Sequence, residues 1–96
     1  MRDFFWGEFD LAELHGSEKV KTLAETLYQK YKNSAIDLTD LVMVINHKSW
    51  VWHDLGNDDW CEIYADLYYK YYERAIEYLE NQSREDDLTY FIRTLD

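Results

Sequence analysis

The sequence predicts an all-α protein, a compact bundle of four main helices with an aromatic N-terminal arm. Three observations point there. The 96-residue chain contains no proline, the residue that breaks helix interiors. Its 3 glycines, Gly7, Gly16 and Gly56, fall where periodic segments break. Apolar residues recur at three-and-four spacing over long stretches, the period of a helix with one buried face. Hydrophobic residues make up 47% of the chain and aromatics 18%, enough bulk to fill a core and to exclude intrinsic disorder despite the charge. The length fits one domain over residues 1–96.

Each element follows in order. Residues 3–9, Asp-Phe-Phe-Trp-Gly-Glu-Phe, are aromatic without a clear period and read as an arm packing onto the domain. Asp10 with Glu13 resembles a short capping box, and Gly16 ends that turn. Ser17 caps a helix to about Asn33, with Val20, Leu23, Ala24, Leu27 and Tyr31 on one face. Asp37 opens the next, which runs through Leu41, Val42, Val44, Ile45, Val51 and Trp52 to Leu55, where Gly56 supplies a left-handed stop. The β-branched residues within Leu41–Ile45 favour a strand, but the flanking caps and the length favour a helix. Asn57 or Asp58 caps the longest helix, about 58 to 82, roughly 37 Å long. Ser83 with Asp86 is a further capping pattern, opening a last helix through Leu88, Tyr90, Phe91, Ile92 and Leu95.

The longest helix divides sharply by angle. At ~100° per residue, Glu62, Asp66, Lys70, Glu73, Glu77 and Glu80 fall in one ~80° arc, with Arg74 just beyond it. Nearly everything else on it is apolar or aromatic, far more than the ~100° stripe a surface helix needs. The helix is therefore expected to be central, or to meet another chain with one side. Trp60, Tyr64, Leu67, Tyr71 and Tyr78 are the expected inward residues. Tyr69 and Tyr72 are candidate contact residues, since Tyr is enriched at binding hot spots; the plainer role is a phenol reaching solvent at the core margin. The run from Tyr68 to Leu79 is similar to part of a tetratricopeptide repeat, but no second copy occurs at ~34-residue spacing.

Candidate chemistry is sparse. His47 and His53 lie six apart on one helix, ~240° around the axis, so they do not easily share a metal. A His53, Asp58 and Cys61 cluster at the Gly56 corner is geometrically conceivable, although a buried Cys among capping polar groups is the plainer account. His15 beside Gly16 is an ordinary helix C-terminal cation. There is no glycine-rich phosphate loop, no paired-carboxylate motif and no oriented nucleophile. The expectation is no catalytic residue, no metal and no cofactor. A single Cys excludes an intramolecular disulfide. No apolar run reaches the ~18–20 residues of a membrane helix, and the start lacks a secretion-signal pattern, so the expected location is the cytoplasm.

Charge carries the functional argument. There are 20 Asp and Glu against 10 Lys and Arg, a formal net charge of −10. Residues 1–53 hold 8 acids and 6 bases, residues 54–96 hold 12 acids and 4 bases. Such a chain repels nucleic acid and anionic membrane and attracts basic surfaces, while also serving solubility. Glu62 and Asp66, and Glu73 and Glu77, are four residues apart, ~6 Å along the axis, where like charges destabilise the helix. Glu85, Asp86 and Asp87 add three acids in the first turn of the last helix, a position the dipole favours.

The stretch from Asp37 to Asp96 is similar to small uncharacterised proteins of bacteriophages and mobile elements. The residues that carry the likeness are Leu41-Val42-Met43-Val44-Ile45-Asn46-His47-Lys48, Asp66-Leu67-Tyr68-Tyr69-Lys70-Tyr71, Ala75-Ile76-Glu77-Tyr78-Leu79-Glu80 and Phe91-Ile92-Arg93-Thr94-Leu95-Asp96. The resemblance brings no catalytic motif and implies context alone. Small acidic phage proteins are often anti-defence factors, including anti-CRISPR proteins, some of which mimic DNA. Together these readings predict a non-enzymatic phage-type inhibitor in the host bacterial cytoplasm. It would bind a host nucleic-acid-binding protein, such as a CRISPR effector, and block its basic groove, without binding nucleic acid or membrane itself. The expected contact residues are Glu62, Asp66, Glu73, Glu77, Glu80, Glu85, Asp86, Asp87, Tyr69 and Tyr72. The alternative is a homodimeric helical scaffold that associates through its Tyr/Trp-rich surface.

Overall fold

The structure, a computed structural model describing residues 1–96, is built of five α-helices and no strand. They are α1 (Arg2–Glu13), α2 (Ser17–Tyr31), α3 (Ala35–Asp54), α4 (Asp58–Asn81) and α5 (Glu85–Leu95). The body measures 39 × 23 × 20 Å, its long dimension close to the length of α4.

The expected N-terminal arm is instead a helix. Phe5 and Phe9 are one turn apart on α1, and both are fully buried. Phe5 packs edge-on against Tyr31 at 5.2 Å between ring centroids, and Phe9 against Tyr64 at 5.9 Å. Gly7 interrupts the pattern in the sequence but not in the fold. A helical glycine costs ~1 kcal/mol relative to alanine, less than the ~1.5–3 kcal/mol from burying one Phe side chain.

Glycine and serine set the corners. Gly16, with φ 103°, is the N-cap of α2, displacing the expected Ser17, which is the first helical residue. α2 ends at Tyr31, short of Asn33. α3 starts at Ala35, ahead of Asp37, because the Ser34 hydroxyl accepts the Asp37 N–H at 3.4 Å. Gly56 takes φ 78° after α3, and the Asn57 side chain accepts the Trp60 N–H at 3.1 Å to cap α4. Ser83 does not cap α5 as its spacing with Asp86 suggested. It adopts φ 55°, the left-handed residue that ends α4, and Arg84 occupies the N-cap position with no side-chain cap bond. The Arg84 N–H returns to the Leu79 carbonyl at 3.0 Å, satisfying an end-of-helix acceptor. The Arg84 guanidinium donates to the carbonyls of Lys32 (3.3 Å) and Asn33 (3.1 Å), tying the α4–α5 corner to the α2–α3 corner.

The centre of the bundle is α3, which packs along all four other helices, whereas α4 packs along α2, α3 and α5 and touches α1 through the Tyr64 side chain. Leu38, Leu41, Val42, Val44 and Ile45 of α3 are all fully buried. Together with Thr39, Lys48 and Ser49 they occupy a buried arc of roughly 220°. The β-branched run is therefore helical, because packing on several sides outweighs its weak intrinsic preference for strand. The remaining core comes from Val20, Ala24, Leu27 and Tyr28 on α2, Tyr64, Leu67, Tyr71, Ala75 and Leu79 on α4, and Phe91 on α5. Trp60 and Tyr78, expected among the inward residues of α4, are half-buried at its margin. No helix is long and apolar enough to cross a membrane.

Candidate protein interface

α4 turns its buried residues toward α2, α3 and α5, with Tyr64 reaching α1, which leaves the arc opposite them to solvent. Glu62, Asp66, Glu73, Glu77 and Glu80 are all exposed. None of the five is in an ion pair or a side-chain hydrogen bond within the chain. From Glu62 to Glu80 they span about 27 Å along the axis at ~1.5 Å per residue. Of the two bases that sequence spacing placed beside them, Arg74 is drawn off and Lys70 stays exposed on the same side of the helix. Arg74 pairs with Glu25 of α2 and sits over the rings of Tyr28 (4.5 Å) and Tyr71 (5.4 Å). The Lys70 ammonium lies 5.2 Å from the centre of the Tyr71 ring. Glu85 and Asp86 are exposed in the first turn of α5. Asp87 is half-buried and accepts from Arg84 Nε at 2.7 Å, so its charge is matched internally.

The two candidate tyrosines sit differently. Tyr69 is 65% exposed, among the most exposed large apolar side chains in the molecule. Tyr72 is half-buried, its ring 5.5 Å from that of Phe91 and 5.6 Å from that of Tyr68, at the seam with α5. Burial holds the Tyr72 phenol above its ordinary value.

Between α3 and α4 lies an open groove of about 390 Å3, lined by Asn46, Ser49, Trp50, His53, Cys61, Ala65, Tyr68 and Tyr69. Trp50 is 60% exposed and meets the His53 ring edge-on at 6.0 Å. The Ser49 hydroxyl donates to the Cys61 carbonyl at 3.2 Å, which pins the two helices together at the groove floor. Tyr69 was marked in the sequence and Trp50 was not, because Trp50 sits two residues from Trp52 in an aromatic stretch, Trp50-Val51-Trp52, that shows no period. The helical period separates them: Trp52 turns toward α4, stacked on Trp60 at 6.0 Å, and Trp50 turns outward.

Two ionic clusters between the helices escaped the sequence. Lys48 is 3% exposed, its ammonium bonded to Asp10, 3.1 Å from Glu13, and 4.7 Å from the centre of the Trp6 ring. Glu13 also accepts the Trp52 indole N–H (3.3 Å) and the Tyr64 hydroxyl. Burial and that carboxylate together push the Tyr64 phenol far upward, so it stays protonated. The signal was present: Lys48 lies three, four and seven residues after Ile45, Val44 and Leu41, on an apolar face, where a lysine requires an acidic partner. The second cluster joins Glu25, Tyr71 and Arg74. Hydrogen bonding from Arg74 first, then from Gln29 and Tyr71, holds the Glu25 carboxyl at about 2 although partial burial works the other way. Both clusters fasten helices together and leave no buried side-chain donor or acceptor without a partner.

His53, Asp58 and Cys61 do not assemble into a ligand set, and no three His, Cys, Asp or Glu side chains are placed to hold a metal ion. The outward surface of α4 and the adjoining groove are thus the features of this molecule most suited to contact with another one. No protein-family model, curated protein or solved structure matches this chain.

Proposed function

We propose that the protein is a non-enzymatic inhibitor that binds a nucleic-acid-binding protein and covers its basic groove with the outer face of α4. The phage context and a CRISPR effector as target belong to the same proposal. One observation carries it: five exposed carboxylates along about 27 Å of one rigid helix have no internal partner, while the neighbouring Arg74 is neutralised by Glu25. Like charges so placed cost the helix a few tenths of a kcal/mol per pair, a cost that an external basic surface removes. The span corresponds to roughly eight nucleotides of one strand at ~3.4 Å each, so a groove built for phosphates meets a similar line of charge.

Immobilised protein is expected to capture a nucleic-acid-binding protein from a bacterial lysate, with capture weakening steeply as salt rises and lost to added DNA or RNA. Capture that ignores both salt and nucleic acid would overturn the proposal. The exposed Trp50 and Tyr69 support a second reading, a homodimeric scaffold. It predicts salt-tolerant self-association, because apolar burial is not screened.

A further inference from the structure

We propose that the groove between α3 and α4 seats an arginine side chain of the basic partner, stacked on Trp50 and Tyr69. The inference rests on the reading of that partner as basic, and adds where on this molecule its guanidinium goes.

Cations over aromatic rings recur throughout this bundle. Lys48 lies over Trp6, Lys32 over Tyr78, Lys30 over Tyr31, and Arg74 over Tyr28 and Tyr71. The two most exposed rings, Trp50 at 60% and Tyr69 at 65%, have no such cation. No lysine or arginine lines their groove. Its wall carries Asn46, half-buried, whose carboxamide makes no hydrogen bond within the chain and offers an acceptor to a guanidinium.

The charge around the groove selects a cation. Glu62, Asp66, Glu73 and Glu80 lie within about 60° of Tyr69 around the α4 axis, and Lys70 and Arg74 lie farther round on the far side. A positive side chain entering over Tyr69 therefore passes a row of exposed carboxylates, into a groove that no lysine or arginine lines. Arginine fits better than lysine, since its planar, weakly hydrated guanidinium stacks on ring faces while donating in its own plane. A second copy of this chain is a poor occupant, because it brings the same carboxylates against themselves at a net charge of −10.

The test uses a short arginine-glycine peptide, with lysine and neutral citrulline versions, titrated by NMR at about 0.15 M salt. The arginine peptide is expected to bind most tightly and to shift the Trp50 indole resonance. Trp50→Leu keeps an apolar side chain at an exposed position and removes the ring, and is expected to weaken binding about tenfold. Tyr69→Leu should do the same, and Tyr69→Phe should bind like wild type. Wild-type affinity in Trp50→Leu, or equal affinity for the citrulline peptide, overturns the groove assignment. So does a Trp50→Leu variant whose sole change is loss of self-association, which would give the groove to a second copy. The two proposals separate through Glu73→Lys with Glu77→Lys. Loss of arginine-peptide binding there, with Trp50→Leu silent, defeats the groove and leaves the acidic face standing. The opposite pattern defeats the acidic face and leaves the groove.

Discussion

Lys48 shows how one side chain organises several helices. Its charge is almost wholly removed from water and is matched by Asp10 and Glu13, which also draws in Trp6, Trp52 and Tyr64. Removing the lysine leaves Glu13 largely buried without its cation, whereas Asp10 is half exposed and returns to water, so Lys48→Met should cost about 2–3 kcal/mol in denaturant melts, below the range for a fully buried pair. Adding Glu13→Gln should recover part of that loss, because the two sites are coupled. A Lys48→Met variant as stable as wild type would show that the cluster contributes nothing. Glu25 makes a pH-dependent contribution. Its carboxyl titrates at about 2 in the fold, chiefly through Arg74, against an ordinary 4.5. The folded value lies below the unfolded one, so this stabilisation is present above about pH 4.5 and is lost as pH falls toward about 2. Glu25→Gln should flatten the acid limb of the stability profile in that window; an unchanged limb contradicts the account. At Leu67, 6% exposed, truncation to alanine should cost about 2–5 kcal/mol, and a loss within ~0.5 kcal/mol would mean that α4 is turned differently. Leu67 was legible from periodicity alone. Lys48 and Glu25 were not, since their partners lie 35 or more residues away in sequence on another helix.

Among the elements, α2 through α5 were legible to within a few residues, because caps and glycines punctuate them. α1 was not, and Gly7 is the reason. A local reading treats glycine among aromatics as a break, while the fold keeps the helix so that Phe5 and Phe9 reach the core. A Cβ built at Gly7 meets nothing within 4 Å. Gly7→Ala is therefore expected to stabilise the protein by about 0.5–1 kcal/mol, read as a raised melting temperature. Destabilisation would mean that α1 does not run unbroken through this position. Of the two places expected for α4, the centre of the bundle is taken by α3 instead. The wide aromatic surface of α4 suggested a central helix, yet half-buried Tyr68, Tyr72 and Tyr78 cover the seams between helices, and α3 with its smaller Val and Ile takes the middle. Bulky amphipathic rings suit margins, where the ring packs and the hydroxyl reaches water or a partner such as Asn33, which accepts from Tyr78.

For the whole molecule, charge is sorted by position. Asp10 and Glu13 of α1 and Glu25 of α2 are used between helices, in the Lys48 and Arg74 clusters, and the acids on the outer face of α4 are left free. The acidic stripe was legible as an arc in the sequence. That Arg74 leaves it for Glu25 was not, and the departure makes the face more negative than its composition implies. On this face the double change Glu73→Lys with Glu77→Lys bears most directly on function. Both side chains are exposed and unpaired, so the variant should melt close to wild type by circular dichroism, and relief of like-charge repulsion raises stability if anything. Desolvated charge pairs at an interface cost about 2–5 kcal/mol each when one member is lost. Capture of a nucleic-acid-competed partner by this variant, measured beside the wild-type protein at the same salt, is predicted to be abolished with the fold intact. Capture equal to wild type would contradict the claim that this face is the inhibitory surface.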